Sequence, residues 1–118
     1  MTGAFSIFSD GHELLYFVET RLVGGDPRAI FTMLHEHLEF LSDLDAQGKL
    51  VFAGPLDTPA GTNSGNGIYA LRATSMAEAR AIVDRDPLHR TRIRAPQVYP
   101  WHRKKDWSVL PDRSEDWS

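Results

Sequence analysis

One histidine lies where the sequence otherwise places apolar side chains. If a helix turns by about 100° per residue from Leu34, His37 falls inside an apolar arc, while Glu36 and Glu39 fall on the opposite side. A buried imidazole needs hydrogen-bond partners for its ring nitrogens. His37 could therefore be a core residue satisfied by a carboxylate or a carbonyl, or it could be an acid/base group beside a cavity.

Asp86 is the carboxylate to consider as a partner for His37. Its simplest role is to cap the turn that begins at Pro87. If its carboxylate instead meets His37, it fixes the tautomer of the imidazole and keeps the ring basic, which suits general acid/base catalysis near neutral pH. The residues alone leave both roles open.

The other polar motifs do not favour a metal or a cofactor. His35 and His37 are two residues apart, and helix positions two apart point about 200° away from each other. The zinc pattern His-Glu-x-x-His is absent, and the lack of cysteine excludes thiolate ligands, disulfides and cysteine nucleophiles. Ser64 has no nucleophile elbow around it, and its glycine-rich segment leads into a strand rather than a phosphate-binding helix. We therefore expect neither a metal nor a cofactor.

Four further residues are candidates for contacting a substrate. Tyr69, Tyr99 and Trp101 could line a pocket for a flat ligand, but aromatic residues are also ordinary in strands and interfaces. His89 could lie near His37 in space, or it could simply be exposed.

The elements that would position these residues begin with a strand and a long helix. The continuous apolar run Leu14–Val18 predicts a strand that is covered on both faces. Asp26 and Pro27 predict the start of a helix, which should run to about Ala46 and end at Gly48.

The second half of the sequence predicts two more strands, a helix and a last strand. A capping box begins the helix at Ser75, with Glu78 three residues later, and the helix should end near Arg85. The segment Asp57–Gly67 has the composition of a loop. The predicted strands cover residues 50–53, 68–71 and 97–102.

The resulting order is strand, helix, strand, strand, helix, strand, which predicts a ferredoxin-like α+β fold. Both helices would lie on one face of a four-stranded antiparallel sheet. Two helices cannot cover both faces, so we expect a second copy of the chain to cover the other face in a homodimer.

Length and charge limit the classes of protein that remain. The 118 residues are enough for one domain, and we expect an N-terminal arm over 1–12, an α+β domain over 13–103, and a C-terminal tail over 104–118 that could pack on a partner subunit. A net charge of -3 argues against nucleic-acid binding. No stretch approaches the ~20 apolar residues of a membrane span, and the N-terminus does not look like a signal peptide, so a cytoplasmic location is expected.

Five segments occur in the order and spacing of a known family. They are His37–Leu41, Gly48–Leu56, Ala77–Ala81, Asp86–Arg90 and Pro100-Trp101. In these segments the sequence resembles the YciI-like (YCII-related) family, from about Leu14 to His102. The resemblance implies a dimeric α+β-barrel fold like that of muconolactone isomerases. It also implies a histidine–aspartate active-site pair, which here corresponds to His37 and Asp86.

One position departs from the family pattern. Many members resemble one another in an arginine three residues before the histidine, and this sequence has Leu34 there. Arg90, Arg92 or Arg94 could substitute for that arginine if the substrate is an anion.

The resemblance implies isomerase or lyase chemistry on small cyclic, sometimes chlorinated, compounds. The first hypothesis is thus an enzyme without a cofactor, in which His37, oriented by Asp86, moves a proton on a small cyclic substrate. The alternative is a non-catalytic protein that binds a small metabolite or serves as an accessory subunit. A third reading, favoured less, is a barrel that oxidises quinols or holds haem, since fold does not decide function.

Overall fold

The computed structural model describes residues 11–105, so most of the predicted N-terminal arm and most of the predicted tail lie outside the described residues. The described elements are β1 (His12–Leu22), a 3-10 helix (Pro27–Thr32), α1 (Leu34–Ala46), β2 (Leu50–Asp57), β3 (Asn63–Leu71), α2 (Met76–Val83), α3 (Pro87–Arg90) and β4 (Arg94–Lys104). None of the helices within residues 11–105 is long and apolar enough to cross a membrane.

The four strands form one antiparallel sheet in the order β2-β3-β1-β4. β1 is a central strand, which explains why its apolar run does not alternate with polar residues. Its register places Phe17 opposite Ala70 of β3 and opposite Tyr99 of β4. The predicted ferredoxin-like α+β fold is confirmed.

The two longer helices, α1 and α2, pack on the same face of this sheet, which we call the helix-covered face. Buried residues of both helices and of β1, β3 and β4 form one core cluster there, made of Tyr16, Val18, Leu44, Tyr69, Leu71, Ala79, Ile82, Val83 and Val98. Side chains alternate along a strand, so the residues between these point to the opposite face.

The opposite face of the sheet carries a group of aromatic rings, which we call the aromatic face. It consists of Phe17, Phe52, Tyr99 and Trp101, whose ring centroids lie 5.9 to 6.4 Å apart. Phe52 is 36% exposed and Tyr99 is 44% exposed. None of the described helices covers these rings, as the sequence predicted for the second face of the sheet.

The segment predicted as one helix from Pro27 to Ala46 is divided at Met33. Met33 has φ −127° and ψ 14°, outside the helical range, and separates the 3-10 helix from α1. The Thr32 hydroxyl donates to the Ala29 carbonyl at 2.7 Å, a spacing of three residues that suits the tighter helix. The predicted start at Asp26 is correct, because its carboxylate accepts the Arg28 N–H at 3.0 Å.

The segment predicted as a loop over Asp57–Gly67 is mostly hairpin strand. β2 extends to Asp57 and β3 begins at Asn63, so that only a short turn remains between them. The turn is closed by a hydrogen bond of 2.7 Å from the Thr58 N–H to the Thr62 carbonyl. The prediction was wrong here because backbone pairing, rather than apolar side chains, extends these strands.

Candidate active site

His37 lies in the first half of α1, on the side of the helix that faces the sheet. Its backbone N–H donates to the Met33 carbonyl at 2.9 Å, so the break at Met33 fixes where the first turn of α1 places the ring. The residue is only 7% exposed. Its Nδ1 lies 2.9 Å from Oδ1 of Asp86, so the structure brings together the two residues that the sequence proposed as partners.

Asp86 is fully buried, with 0% exposure, and both roles that the sequence left open coexist in it. Oδ1 accepts the Leu88 N–H at 2.9 Å and thereby caps α3, while the same oxygen contacts His37. Oδ2 accepts the Tyr69 hydroxyl at 3.2 Å. Three donors therefore surround one carboxylate.

The protonation state of Asp86 follows from these partners. Burial alone would raise the pKa of its carboxyl, but the hydrogen bond and charge of His37, the charge of His89 and the Leu88 N–H together lower the pKa below its usual value of 3.8. Asp86 is therefore an ionised acceptor at neutral pH. Burial and the adjacent Asp86 raise the pKa of Tyr69, which keeps its hydroxyl protonated as a donor.

The ionised Asp86 determines the tautomer of His37. A carboxylate can only accept, so Nδ1 of His37 must donate, and in the neutral imidazole the lone pair then lies on Nε2. Within residues 11–105 this contact is the one side-chain hydrogen bond of His37, so Nε2 has no partner there. In the same residues, every fully buried side-chain nitrogen or oxygen does have a partner. Nε2 is therefore not sealed inside the protein, and we infer that it opens to the cavity described next.

A cavity of about 410 Å³ lies between the helices and the β2–β3 hairpin, with His37 in its wall. This volume is in the range of small-molecule sites, which span roughly 300–1,000 Å³. The apolar wall comes largely from the 3-10 helix and α1, through Ile30, Phe31, Leu34, Leu38 and Leu41. The polar side chains in the wall include Thr20, His37, Tyr69 and Arg94.

His89 lies next to this group but does not line the cavity. Its Nδ1 donates to the Val83 carbonyl at 2.7 Å, so its Nε2 accepts the Thr20 hydroxyl at 2.7 Å. Burial lowers the pKa of His89, in spite of the Val83 carbonyl and Asp86, which raise it. The ring stacks on Tyr69 with centroids 6.5 Å apart. The structure thus places His89 against Asp86 and Tyr69, and its proposed contact with a substrate stays a prediction.

The three aromatic candidates fall on two different faces of the sheet. Tyr69 lines the cavity, whereas Tyr99 and Trp101 belong to the aromatic face. Val98 of β4 pairs with Val18 and points to the helix-covered face. Because side chains alternate along a strand, Tyr99 and Trp101 point to the opposite face, away from His37. This corrects the expectation that Tyr99 and Trp101 share one pocket with Tyr69.

Sequence reasoning gave little weight to two residues of the cavity wall. Thr20 continues the alternation of Tyr16 and Val18 along β1, and that pattern could have identified it. Arg94 is 6% exposed, whereas Arg90 is on the surface of the protein. Nothing in the local sequence distinguishes the buried arginine from the exposed one.

Comparison with known proteins identifies the family. Residues 14–102 match the family model of the YCII-related domain. The chain belongs to the YCII-related family. The resemblance found in the sequence is thus confirmed, and Leu34, at the position of the family's frequent arginine, is part of the apolar wall of the cavity in this YCII-related protein.

Two solved structures resemble this YCII-related chain. The 5-chloro-2-hydroxyhydroquinone dehydrochlorinase of Burkholderia phenoliruptrix, in complex with 2,5-dihydroxybenzoquinone, has a TM-score of 0.64 at 24% identity and covers 74% of this chain and 92% of its own. A mutant of a cofactor-independent oxygenase of Streptomyces nogalater has a TM-score of 0.44 at 13% identity, and the match covers 84% of this chain and 98% of the oxygenase chain. The first likeness shows the fold. None of the curated proteins matches this chain in sequence.

The described residues contain no cluster suited to a metal ion. No group of three or more His, Asp or Glu side chains between residues 11 and 105 has the required arrangement. His35, which is near His37 in sequence, points away and lies 3.5 Å from the Glu39 carboxylate on the surface of α1.

Proposed function

We propose that this YCII-related protein is a cofactor-independent enzyme that transfers a proton on a small cyclic substrate, with an isomerase or a dehydrochlorinase-like lyase outcome. One observation carries the proposal: His37 Nδ1 lies 2.9 Å from a buried aspartate, and the same imidazole lies in the wall of a cavity. This is the arrangement of a general base that is oriented by a carboxylate.

Each residue has a defined role in the proposed reaction. Asp86 holds the ring in one tautomer and stabilises the imidazolium that forms, while Nε2 of His37 removes a proton from a carbon beside a substrate carbonyl. The electron pair of the broken C–H bond moves into an enolate. The imidazolium then returns the proton to another carbon, which is isomerisation, or the enolate expels chloride, which is a lyase reaction. Such acid/base help accelerates a reaction by roughly 10²–10⁴.

The size and polarity of the cavity support a small cyclic substrate. The apolar side chains of the 3-10 helix and α1 would contact the face of a ring, while His37 of α1 and Tyr69 of β3 supply polar contacts. The dehydrochlorinase with the shared fold acts, by its name, on a chlorinated hydroxyhydroquinone. Fold alone does not decide function, so this likeness suggests the class of substrate to test first.

We further propose that the protein is a homodimer formed through the aromatic face. Phe52 and Tyr99 are substantially exposed there, in contact with Phe17 and Trp101. A contiguous aromatic patch of this kind is typical of protein interfaces. A second copy would bury it by an isologous contact, in which the same patch is used twice.

The alternative function is non-catalytic binding of a metabolite. A binding protein needs no basic nitrogen with access to its cavity, and its histidine could instead be satisfied by a backbone carbonyl. The pairing of His37 with an ionised Asp86, together with the cavity at its other side, favours the enzyme.

Proton transfer can be tested without knowing the natural substrate. The wild-type protein is incubated in heavy water with a panel of cyclic diones and chlorinated hydroxyquinols, and deuterium incorporation and chloride release are followed. We expect His37→Ala to lower the rate by roughly 10²–10⁴. Added imidazole should restore part of this activity, because it replaces the missing base without changing the fold.

The matched control is His35→Ala, which removes a surface histidine from the same helix. It should leave the rate and the melting temperature unchanged. His37→Ala should keep the wild-type circular dichroism spectrum, while the loss of a partner of the buried Asp86 should lower its melting temperature. A His37→Ala protein with full activity would reject the assignment of the base. A wild-type protein that binds members of the panel but turns over none of them would favour the binding function.

A further inference from the structure

Arg94 is a buried cation in the cavity wall, and the proton-transfer proposal gives it no task. It is the first residue of β4 and is 6% exposed. Its Nε–H donates to the Gly65 carbonyl at 2.7 Å, which holds the stem of the guanidinium against the β3 strand. Burying a guanidinium is costly unless a partner compensates its charge.

The two Nη groups of Arg94 are its unused donors. Among the described residues, Arg94 forms no ion pair and donates only through Nε. In this part of the chain, every fully buried side-chain nitrogen has a hydrogen-bond partner. Because the Nη groups have none, they are not fully buried and have access to open space. Nη1 and Nη2 lie 3.2 and 3.4 Å from the place that a Cβ on Gly67 would take, and Gly67 also lines the cavity. The guanidinium therefore occupies the space over Gly67 in the cavity wall.

Arg94 retains its charge in this position. Burial lowers the pKa of its guanidinium, while Asp86 and Tyr69 raise it, and an arginine stays protonated at neutral pH. Asp86 is not the counterion of Arg94, because among the described residues only His37 and His89 lie within ion-pair distance of its carboxylate. The Asp57 carboxylate also lines the cavity, but among the described residues it forms no ion pair with Arg94, so the guanidinium lacks an anion in direct contact.

We propose that Arg94 binds an anionic oxygen of the substrate, so that the enzyme acts on a small planar ring that carries a carboxylate or an ionised hydroxyl. The paired Nη groups can donate to such an oxygen, or to two oxygens of one carboxylate, in a charge-assisted contact. The substrate charge then compensates the buried guanidinium, and His37 Nε2 is left to exchange the proton. This inference rests on the cavity of the proposed function and adds the charge of the substrate.

Three small probes test the inference in the full-length protein. Benzoate carries a carboxylate, pentafluorophenolate carries an ionised hydroxyl, and benzamide is a neutral analogue of benzoate. Dissociation constants are measured by titration calorimetry or ligand-observed NMR. We expect at least one of the two anions to bind at least 10-fold more tightly than benzamide, and the stronger one identifies the preferred source of the anionic oxygen.

The decisive variant is Arg94→Gln, with Arg90→Gln as its control. Both substitutions remove one positive charge, but Arg90 is exposed on α3 and does not line the cavity. Arg94→Gln should abolish the preference for anions, while Arg90→Gln should retain it. Equal binding of anions and benzamide to the wild type, no saturable binding of either anion, or a preference that survives in Arg94→Gln would overturn the proposal.

A second measurement covers the case in which Arg94→Gln does not fold. On binding of an anion, the guanidinium NMR signals of Arg94 in the wild-type protein should change position and become narrower than in the free protein. Signals that do not respond would contradict the inference. Binding and turnover are separate readouts. If His37→Ala loses turnover while anion binding does not depend on Arg94, only this inference fails; if Arg94 binds the anion but His37→Ala is fully active, the proposed base fails.

Discussion

The helix-covered face and the aromatic face are built by the same strands, yet they differ in the polar groups they hold. On β3, Tyr69 points into the core and donates to Asp86, whereas its neighbour Ala70 pairs with Phe17 beneath the aromatic face. On β1, Thr20 contacts His89, while Phe17 contacts other rings. The alternation of side chains along each strand is sufficient to separate the cavity with its polar groups from the exposed aromatic rings.

The two faces also differ in what a substitution should cost. On the helix-covered face, ionised and neutral polar groups are buried and depend on one another for hydrogen bonds, so the loss of one leaves others unsatisfied. On the aromatic face, the rings are partly exposed and contact mainly one another. Substitutions should therefore change stability and turnover on the first face and association on the second.

The largest effect is expected from Asp86→Ala. This substitution removes the acceptor of His37, Tyr69 and Leu88 at once, and removing one partner from a buried charged pair costs about 3–5 kcal/mol. The free energy of unfolding should fall by that amount in urea titrations. Asp84→Ala removes the same charge from an exposed site two residues earlier and should change stability by no more than about 0.5 kcal/mol. Equal losses in the two variants would contradict the contrast between the faces.

The next effect is expected on association. Phe52→Glu combined with Trp101→Glu places two charges in the aromatic face, and burying them in a dimer would be strongly unfavourable. We expect the wild type to sediment as a dimer and the variant to dissociate at least about 100-fold more readily, which corresponds to about 2.8 kcal/mol. Ser42→Glu, on the exposed side of α1, is the control and should stay dimeric. A wild type that is monomeric at high concentration would refute the dimer.

The smallest effect compares one substitution on both faces. Tyr69→Phe removes a buried hydroxyl that donates to Asp86 at 3.2 Å, and the loss of such a hydrogen bond costs about 1 kcal/mol. Tyr99→Phe removes a hydroxyl that lies 3.5 Å from the Glu19 carboxylate in an exposed position, and should leave the melting temperature unchanged. If the Tyr99 variant were the less stable of the two, the aromatic face would contribute more polar stabilisation than its geometry indicates.

Most of the fold could be predicted from local patterns in the sequence. Ser75 caps α2 through the Glu78 N–H at 3.0 Å, and Gly48 follows α1 with a φ of 73°, both as the sequence indicated. The break at Met33 could not be predicted, since the apolar periodicity continues through it. The extension of β2 and β3 across Asp57–Gly67 was also missed, because main-chain pairing between strands leaves little trace in side-chain composition.

The site was only partly predictable, because its contacts join distant parts of the chain. The helical arc identified His37 as unusual, but Asp86 is 49 residues away; the residues alone left their contact open, and the family resemblance implied it. The face on which Tyr99 and Trp101 lie depends on strand register, and a shift of one residue would reverse it. Arg94 was not distinguished from its neighbours, since the predicted strand began at Gln97 rather than at Arg94.

One oxygen, Oδ1 of Asp86, accepts hydrogen bonds from two different elements. It accepts the Leu88 N–H in the first turn of α3, and it also orients the His37 ring. A four-residue helix is far too short to be stable by itself, so α3 exists only when it is packed in the native chain. A molecule with α3 unravelled would still contain His37, but the imidazole would be free to rotate and to take either tautomer. The orientation of the His37 ring is therefore coupled to completion of the fold.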